Sequence, residues 1–143
     1  MRGRKMARTK KIVITEADHD RLRRLIESAR LDRSRDAEHL NALEDELDRA
    51  TVVKTGEIAS DVVTMNSRVR VLDLDDGRET TYQIVFPGHA DVAQNRISVL
   101  APIGTGLLGY GAGATLEWRV PSGTRRFRIL AVEYQPATVA AAA

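Results

Sequence analysis

The chain has no cysteine. Disulfides and thiolate metal sites are therefore excluded, and a reducing compartment is the expected home. Aromatic residues are scarce, at 4%, so a core has to rest on Val, Ile and Leu. Long apolar runs are missing as well. No stretch approaches the ~18 residues of a membrane-spanning helix. The basic start, MRGRKMARTKK, is not followed by an apolar segment of signal-peptide length. These absences predict a soluble, cytoplasmic protein with no membrane partner. Candidate chemistry is equally thin. His19, His39 and His89 are isolated. Asp36 and His39 lie three apart, but two potential ligands do not make a metal site. There is no Gly-x-Ser-x-Gly elbow. No catalytic residue, metal or cofactor is assigned, and the expectation is a protein that is not an enzyme.

What is present suffices for one domain with an appendage. The chain has 143 residues, 43% of them hydrophobic. The net charge is only +2, but six of the first eleven residues are Lys or Arg. Residues 1–11 read as a basic flexible tail, or else as an electrostatic arm toward nucleic acid or an acidic partner. Met6 is an alternative start that would discard much of that charge.

From Thr15 to about Val53 the pattern is helical. Thr15 can cap, with Glu16 and Asp18 in the first turn where the helix dipole favours carboxylates. Leu22, Leu25, Ile26 and Ala29 follow at i, i+3, i+4 and i+7, one apolar stripe. The polar stretch RLDRSRD breaks the phase, and Ser34 or Asp36 can cap a second helix carrying Leu40, Leu43, Leu47 and Ala50. Two amphipathic helices with a short polar turn predict an antiparallel hairpin over residues 12–53, roughly 20–25 Å long. Its stripes are narrow, so it should be a thin prong braced at its base.

From Asp61 onward the period changes to two. Val69 and Val71 alternate with Arg68 and Arg70 up to the turn signal Asp75-Asp76-Gly77. ETTYQIVF answers this strand and stops at Pro87-Gly88. RISVLAPI is a third strand. ATLEWRV and TRRFRILAVEY are two more, and in the last Phe127, Ile129 and Ala131 alternate with Arg126, Arg128 and Leu130. With one helical turn near Thr105–Leu108, these predict an α+β chain whose second domain, residues 54–137, is a compact antiparallel sheet. Residues 138–143 read as a flexible tail. Arg126 and Arg128, with Arg68 and Arg70, are candidates for a basic sheet face, solvation being the default.

Gly104-Thr105-Gly106-Leu107-Leu108-Gly109 is a literal G-x-G-x-x-G. A dinucleotide site needs a full helix after that motif. Gly109, Gly111 and Gly113 allow one turn at most. The glycines are therefore expected to serve tight backbone packing.

The same region resembles a known family. RISVLAPIGTGLLGYGAGATLEW is similar to the C-terminal domain of the Gre-type transcript-cleavage factors of bacterial RNA polymerase, through Ile97-Ser98-Val99, Pro102-Ile103-Gly104 and Leu107-Leu108-Gly109. DVVTMNSRV (Asp61–Val69), LDRA (Leu47–Ala50) and VEYQP (Val132–Pro136) resemble the Rnk family, regulators of nucleoside diphosphate kinase and relatives of the Gre factors. The likeness runs over roughly residues 12–137. It implies a short N-terminal helical hairpin followed by a Gre C-terminal β domain resembling FK506-binding proteins, and it implies a monomer.

By that resemblance the partner is core RNA polymerase, at its secondary channel. The docking turn is Ala101, Pro102, Ile103 and Gly104, with Ala101 standing where Gre factors usually carry a polar residue. DNA or RNA would be met only within the polymerase complex. Gre factors use tip carboxylates to help hold Mg²⁺ in the polymerase. Here the tip reads Asp32, Arg33, Arg35 and Asp36. Its carboxylates flank two cations, so it is read as a loop and not as a metal carrier. The resemblance implies a regulator that competes with Gre factors. The alternatives are an adaptor acting on nucleoside diphosphate kinase and a true cleavage factor.

Overall fold

A computed structural model describes residues 12–31, 37–120 and 123–136. The chain enters through strand β1 (Val13–Thr15) and passes into helix α1 (Glu16–Leu31). Thr15 starts this helix: its Oγ1 accepts the Asp18 amide at 3.2 Å, which satisfies one of the open donors of the first turn. Helix α2 (Ala37–Arg49) returns antiparallel to α1. Arg23 meets Asp48 while Arg30 meets Asn41 and Glu44, so residues rising along one helix face residues falling along the other. The predicted stripes face each other. Leu22, Ile26, Leu40, Leu43 and Leu47 are all buried, with Leu25, Ala29 and Ala50 half-buried around them. Each such burial is worth about 1.5–3 kcal/mol.

The helical pattern does not continue to Val53. Helix α2 stops at Arg49, and β2 (Thr51–Val53) pairs in parallel with β1, Val13 against Thr51 and Thr15 against Val53. Three β-branched residues in a row favour an extended chain over a last helical turn. This small sheet closes the base of the hairpin.

The second half is a five-stranded sheet of β3 (Arg68–Asp73), β4 (Glu79–Val85), β5 (Arg96–Ser98), β6 (Thr115–Val120) and β7 (Gly123–Tyr134). Its order is β5-β4-β3-β7-β6. Three contacts are antiparallel, but β4 and β5 run parallel, which corrects the expectation of a wholly antiparallel sheet. The loop between them carries two 3₁₀ turns, Pro87–His89 and Val92–Gln94, and brings the chain back alongside Gln83 of β4 before β5 begins. The predicted third strand is also shortened. It ends at Ser98, because Pro102 opens helix α3 (Pro102–Leu107), where its fixed φ and missing N–H suit the first helical position. Residues 61–67 are no strand either. They form turns and a single bridge, Val62 to Gly111, before β3 starts at Arg68.

Strand β7 breaks the alternation read from its sequence. Pairing with β3 passes from Val71–Ile129 to Arg70–Ala131, and from Val69–Val132 to Arg68–Tyr134. Leu130 and Glu133 are thus extra residues on β7, and each such bulge swaps the two faces. Phe127, Ile129 and Val132 face the core, and Ala131 does not continue their row.

One apolar cluster joins the two halves. Val69, Val71, Ile84, Leu116 and Ile129 of the sheet pack with Leu107 and Leu108 of the α3 region, and these reach Met65, Ile12, Leu22 and Leu47. The prong is rooted in the core of the sheet domain. No helix among the described residues is long and apolar enough to cross a membrane.

Candidate functional site

The turn from Ser98 to Gly104 is held from below. The Ser98 hydroxyl accepts the Leu100 amide at 3.0 Å, and its carbonyl accepts the Ala101 amide at 2.9 Å. The Ala101 carbonyl accepts the Thr105 amide at 2.9 Å, and the Thr105 hydroxyl donates to the carbonyl of Val99. Gly104 sits on the Ser98 carbonyl so closely that a Cβ would collide with its oxygen. The turn therefore presents Pro102 to solvent, with Ala101 and Ile103 half-buried beside it and Gly104 buried beneath.

The last glycine of the G-x-G-x-x-G has a different job. Gly109 has φ +85°, and a Cβ there would stand 2.5 Å from Cβ of Ile12. Its carbonyl accepts the Val13 amide at 3.1 Å, and its amide donates to the carbonyl of Val63 at 2.9 Å. The space above both glycines is filled by the protein itself. Helix α3 has six residues and Gly106 is buried within it. Nothing in this arrangement cradles a pyrophosphate, so the packing role expected of the motif is what the geometry gives.

Asp18 completes the root of the prong. Its carboxylate is buried; Oδ2 accepts the Met65 amide at 3.1 Å and Oδ1 accepts from Arg21 at 2.8 Å. The Arg21 guanidinium in turn lies 5.2 Å from the ring centre of Phe86, the residue that follows β4. The root and the end of β4 are thus connected. Along its exposed flank the prong is held by ion pairs, Arg23 with Asp48 at 2.5 Å beside the root and Arg30 with Glu44 at 2.9 Å further out. The Arg30 hydrogen bond holds the Glu44 carboxyl below the usual carboxylate range, against an opposing effect of burial. The tip residues Asp32, Arg33, Arg35 and Asp36 lie outside the described residues.

Sequence reasoning did not find the carboxylate cleft at the far end of the sheet. Asp73 Oδ1 accepts the amides of Asp75 at 2.8 Å and Asp76 at 3.2 Å, and Oδ2 pairs with Arg125. Burial pushes the Asp73 carboxyl up, but the two amides and the guanidinium outweigh it and hold the group below its ordinary range. The cleft beside it measures about 200 Å³ and is floored by Val71, Tyr82 and Phe127. The Asp-Asp-Gly turn signal was readable; that Arg125 crosses to it from another hairpin was not. No group of three or more His, Asp or Glu side chains among the described residues could hold a metal ion.

The four arginines of the candidate basic face do share the outer side of β3 and β7, but charge there is largely matched. Arg70 meets Glu79 at 3.2 Å and Glu133 at 3.4 Å, and Arg126 meets Asp75 at 3.3 Å. Arg68 lies over the Tyr134 ring, and Arg128 donates to Thr115 Oγ1 at 3.4 Å.

Residues 58–134 match the family described as "Transcription elongation factor, GreA/GreB, C-term", and residues 10–53 match "Rnk N-terminus". The chain is 37% identical over 126 residues to the "Regulator of nucleoside diphosphate kinase" of Escherichia coli strain K12, covering 87% of this chain and 90% of that one. It is 37% identical over 95 residues to "Transcription elongation factor GreA" of Brucella canis, covering 66% of this chain and 60% of that one. Among solved structures it superposes on a "Prokaryotic transcription elongation factor GreA/GreB from Nitrosomonas europaea" with a TM-score of 0.72 and 39% identity, over 87% of this chain and all of that one.

Proposed function

Because the chain belongs to the Rnk family of Gre-factor relatives, we propose that it is a non-catalytic transcription regulator that binds core RNA polymerase at the secondary channel and competes there with Gre-type factors. The observation that carries this reading is the union of a GreA/GreB-type domain with a short prong. Helices of 16 and 13 residues reach about 24 and 20 Å. The domain supplies the docking turn at Ala101–Gly104, and the prong enters only the mouth of the channel. Delivering a carboxylate to Mg²⁺ requires placement to within bonding distance, near 2.0–2.1 Å. Asp32 and Asp36 would stop short of a deeper metal, and Arg33 and Arg35 oppose cation binding. Occupancy of the entrance remains, and it excludes a longer-pronged competitor by mass action. The protein acts as a monomer and meets nucleic acid only inside the complex.

A second reading follows from the name of the Escherichia coli relative: an adaptor that alters nucleoside diphosphate kinase level or activity. Two measurements separate these readings from each other and from a cleavage factor. Pull-down with core polymerase is set against pull-down with the kinase. A backtracked elongation complex with Mg²⁺ then receives the protein alone and together with a cleavage factor. The proposal expects polymerase capture, no cleavage by the protein alone and inhibition of the added factor. Strong cleavage by the protein alone, lost in Asp32→Ala with Asp36→Ala, would sink the competitor and reinstate the cleavage factor.

A further inference from the structure

The docking turn is too small to be the whole contact. It exposes Pro102, half-exposes Ala101 and Ile103, and buries Gly104. A specific interface needs about 800 Å² from each partner, so the contact has to extend onto neighbouring surface. The hairpin and the outer face of the sheet are studded with arginines and carboxylates paired to each other, and taking such pairs out of water costs more than it returns. One neighbouring segment is different. Between Phe86 and Asn95 the only titratable residues are His89 and Asp91, in a chain that is 29% charged.

This loop runs along the free edge of β5. Its Pro87–His89 turn packs on that strand, and Asp91 is bridged to Arg96 by a pair of backbone hydrogen bonds, 2.9 and 3.0 Å. Parallel pairing sets Val85 beside Ser98, so Phe86 and the turn at Ala101 lie at the same end of the sheet. The loop continues from there as one strip. It is also built rigidly. Asp91 Oδ1 accepts the Ala93 amide at 3.2 Å, so its carboxylate serves the loop itself, and Asn95 closes the second turn with φ +57°. At its far end stands Val92, 85% exposed, beside exposed Ala90 and Ala93. A valine held out into water on an ordered turn gains nothing for folding.

We infer that the loop 87–93, with Val92 as its anchor, is the second half of the polymerase-docking surface and inserts into an uncharged, apolar depression on the rim of the channel. The inference rests on the polymerase-binding reading above. An apolar anchor in a desolvated pocket is the kind of contact that carries an interface, and a strip whose one carboxylate, Asp91, serves its own loop makes that part of the affinity only weakly dependent on salt.

The test uses the full chain and core polymerase, with affinity measured at low and high salt. Val92→Asp is expected to weaken binding about tenfold or more, by the same factor at both salt concentrations. Its thermal unfolding should match the wild type, because Val92 makes no core contact. Val92→Ala should lose less, and Arg128→Ala on the outer sheet face should bind as the wild type does. If Val92→Asp binds normally while Pro102→Glu does not, the loop is not part of the contact and the inference is overturned with the polymerase reading intact. If the wild type itself fails to bind core polymerase, both fall together.

Discussion

The root and the outer half of the prong are built on different principles. At the root, Asp18 accepts the Met65 amide in a buried position, Gly109 lies against Ile12, and Leu22 and Leu47 enter the core of the sheet domain. Further out, over the thin stripe of Ile26 and Leu40, the helices are joined across exposed Arg30–Asn41 and Arg30–Glu44 contacts. Burial and buried hydrogen bonds carry stability, whereas exposed ion pairs contribute little and are screened by salt. The root should therefore behave as part of the sheet domain, and the outer half should be the tolerant end.

Gly109→Val is the severest test of that contrast. It forces a β-branched side chain into a left-handed conformation and against Ile12 at once, with an expected loss of about 2–6 kcal/mol in urea unfolding. A loss below about 1 kcal/mol would mean that the root is not fixed at this point. Asp18→Ala comes next. It strands the buried Met65 amide and should cost about 1–3 kcal/mol.

The acid response sharpens the contrast between buried and exposed carboxylates. Asp73 is lowered in the folded protein, so it contributes stability above the unfolded value of about 3.9 and loses it as pH falls through the folded value. Acid unfolding of Asp73→Asn should lack that component, and the difference should survive added salt. Glu44 is lowered too, but its partner is exposed, so its share of the acid response should fade with salt. Arg30→Ala should show the smallest change of all. Its shift in unfolding temperature should vanish in about 1 M salt, where the screening length is about 3 Å.

The prong was readable because its pattern is local. Thr15 signals the cap and leucines at helical spacing signal the buried stripe, and both hold. The turn at Asp75-Asp76-Gly77 was readable for the same reason. What escaped depends on partners distant in sequence. Residues 51–53 look helical in phase until Val13–Thr15 is known to lie beside them. The row Phe127, Ile129, Ala131 alternates in sequence, but pairing with β3 inserts Leu130 as a bulge and moves the inward place to Val132. Ser98 was quoted within a motif, yet its support of the turn at Ala101–Gly104 appears only when its carbonyl is seen beneath Gly104. Parallel pairing of β5 was hidden because a ten-residue loop with two tight turns reads like an ordinary connection.

The welding of Ile12, Gly109 and Met65 removes a degree of freedom. A prong on a flexible linker would sweep a wide cone and would have to surrender that freedom on entering a narrow passage. Here Val13 is bonded to Gly109 and Asp18 to Met65, so the helices leave the sheet domain at one set angle, like a beam clamped at one end. The ordering that association would otherwise demand is already built into the free protein. Once the domain sits at an opening, the direction of the prong is decided as well.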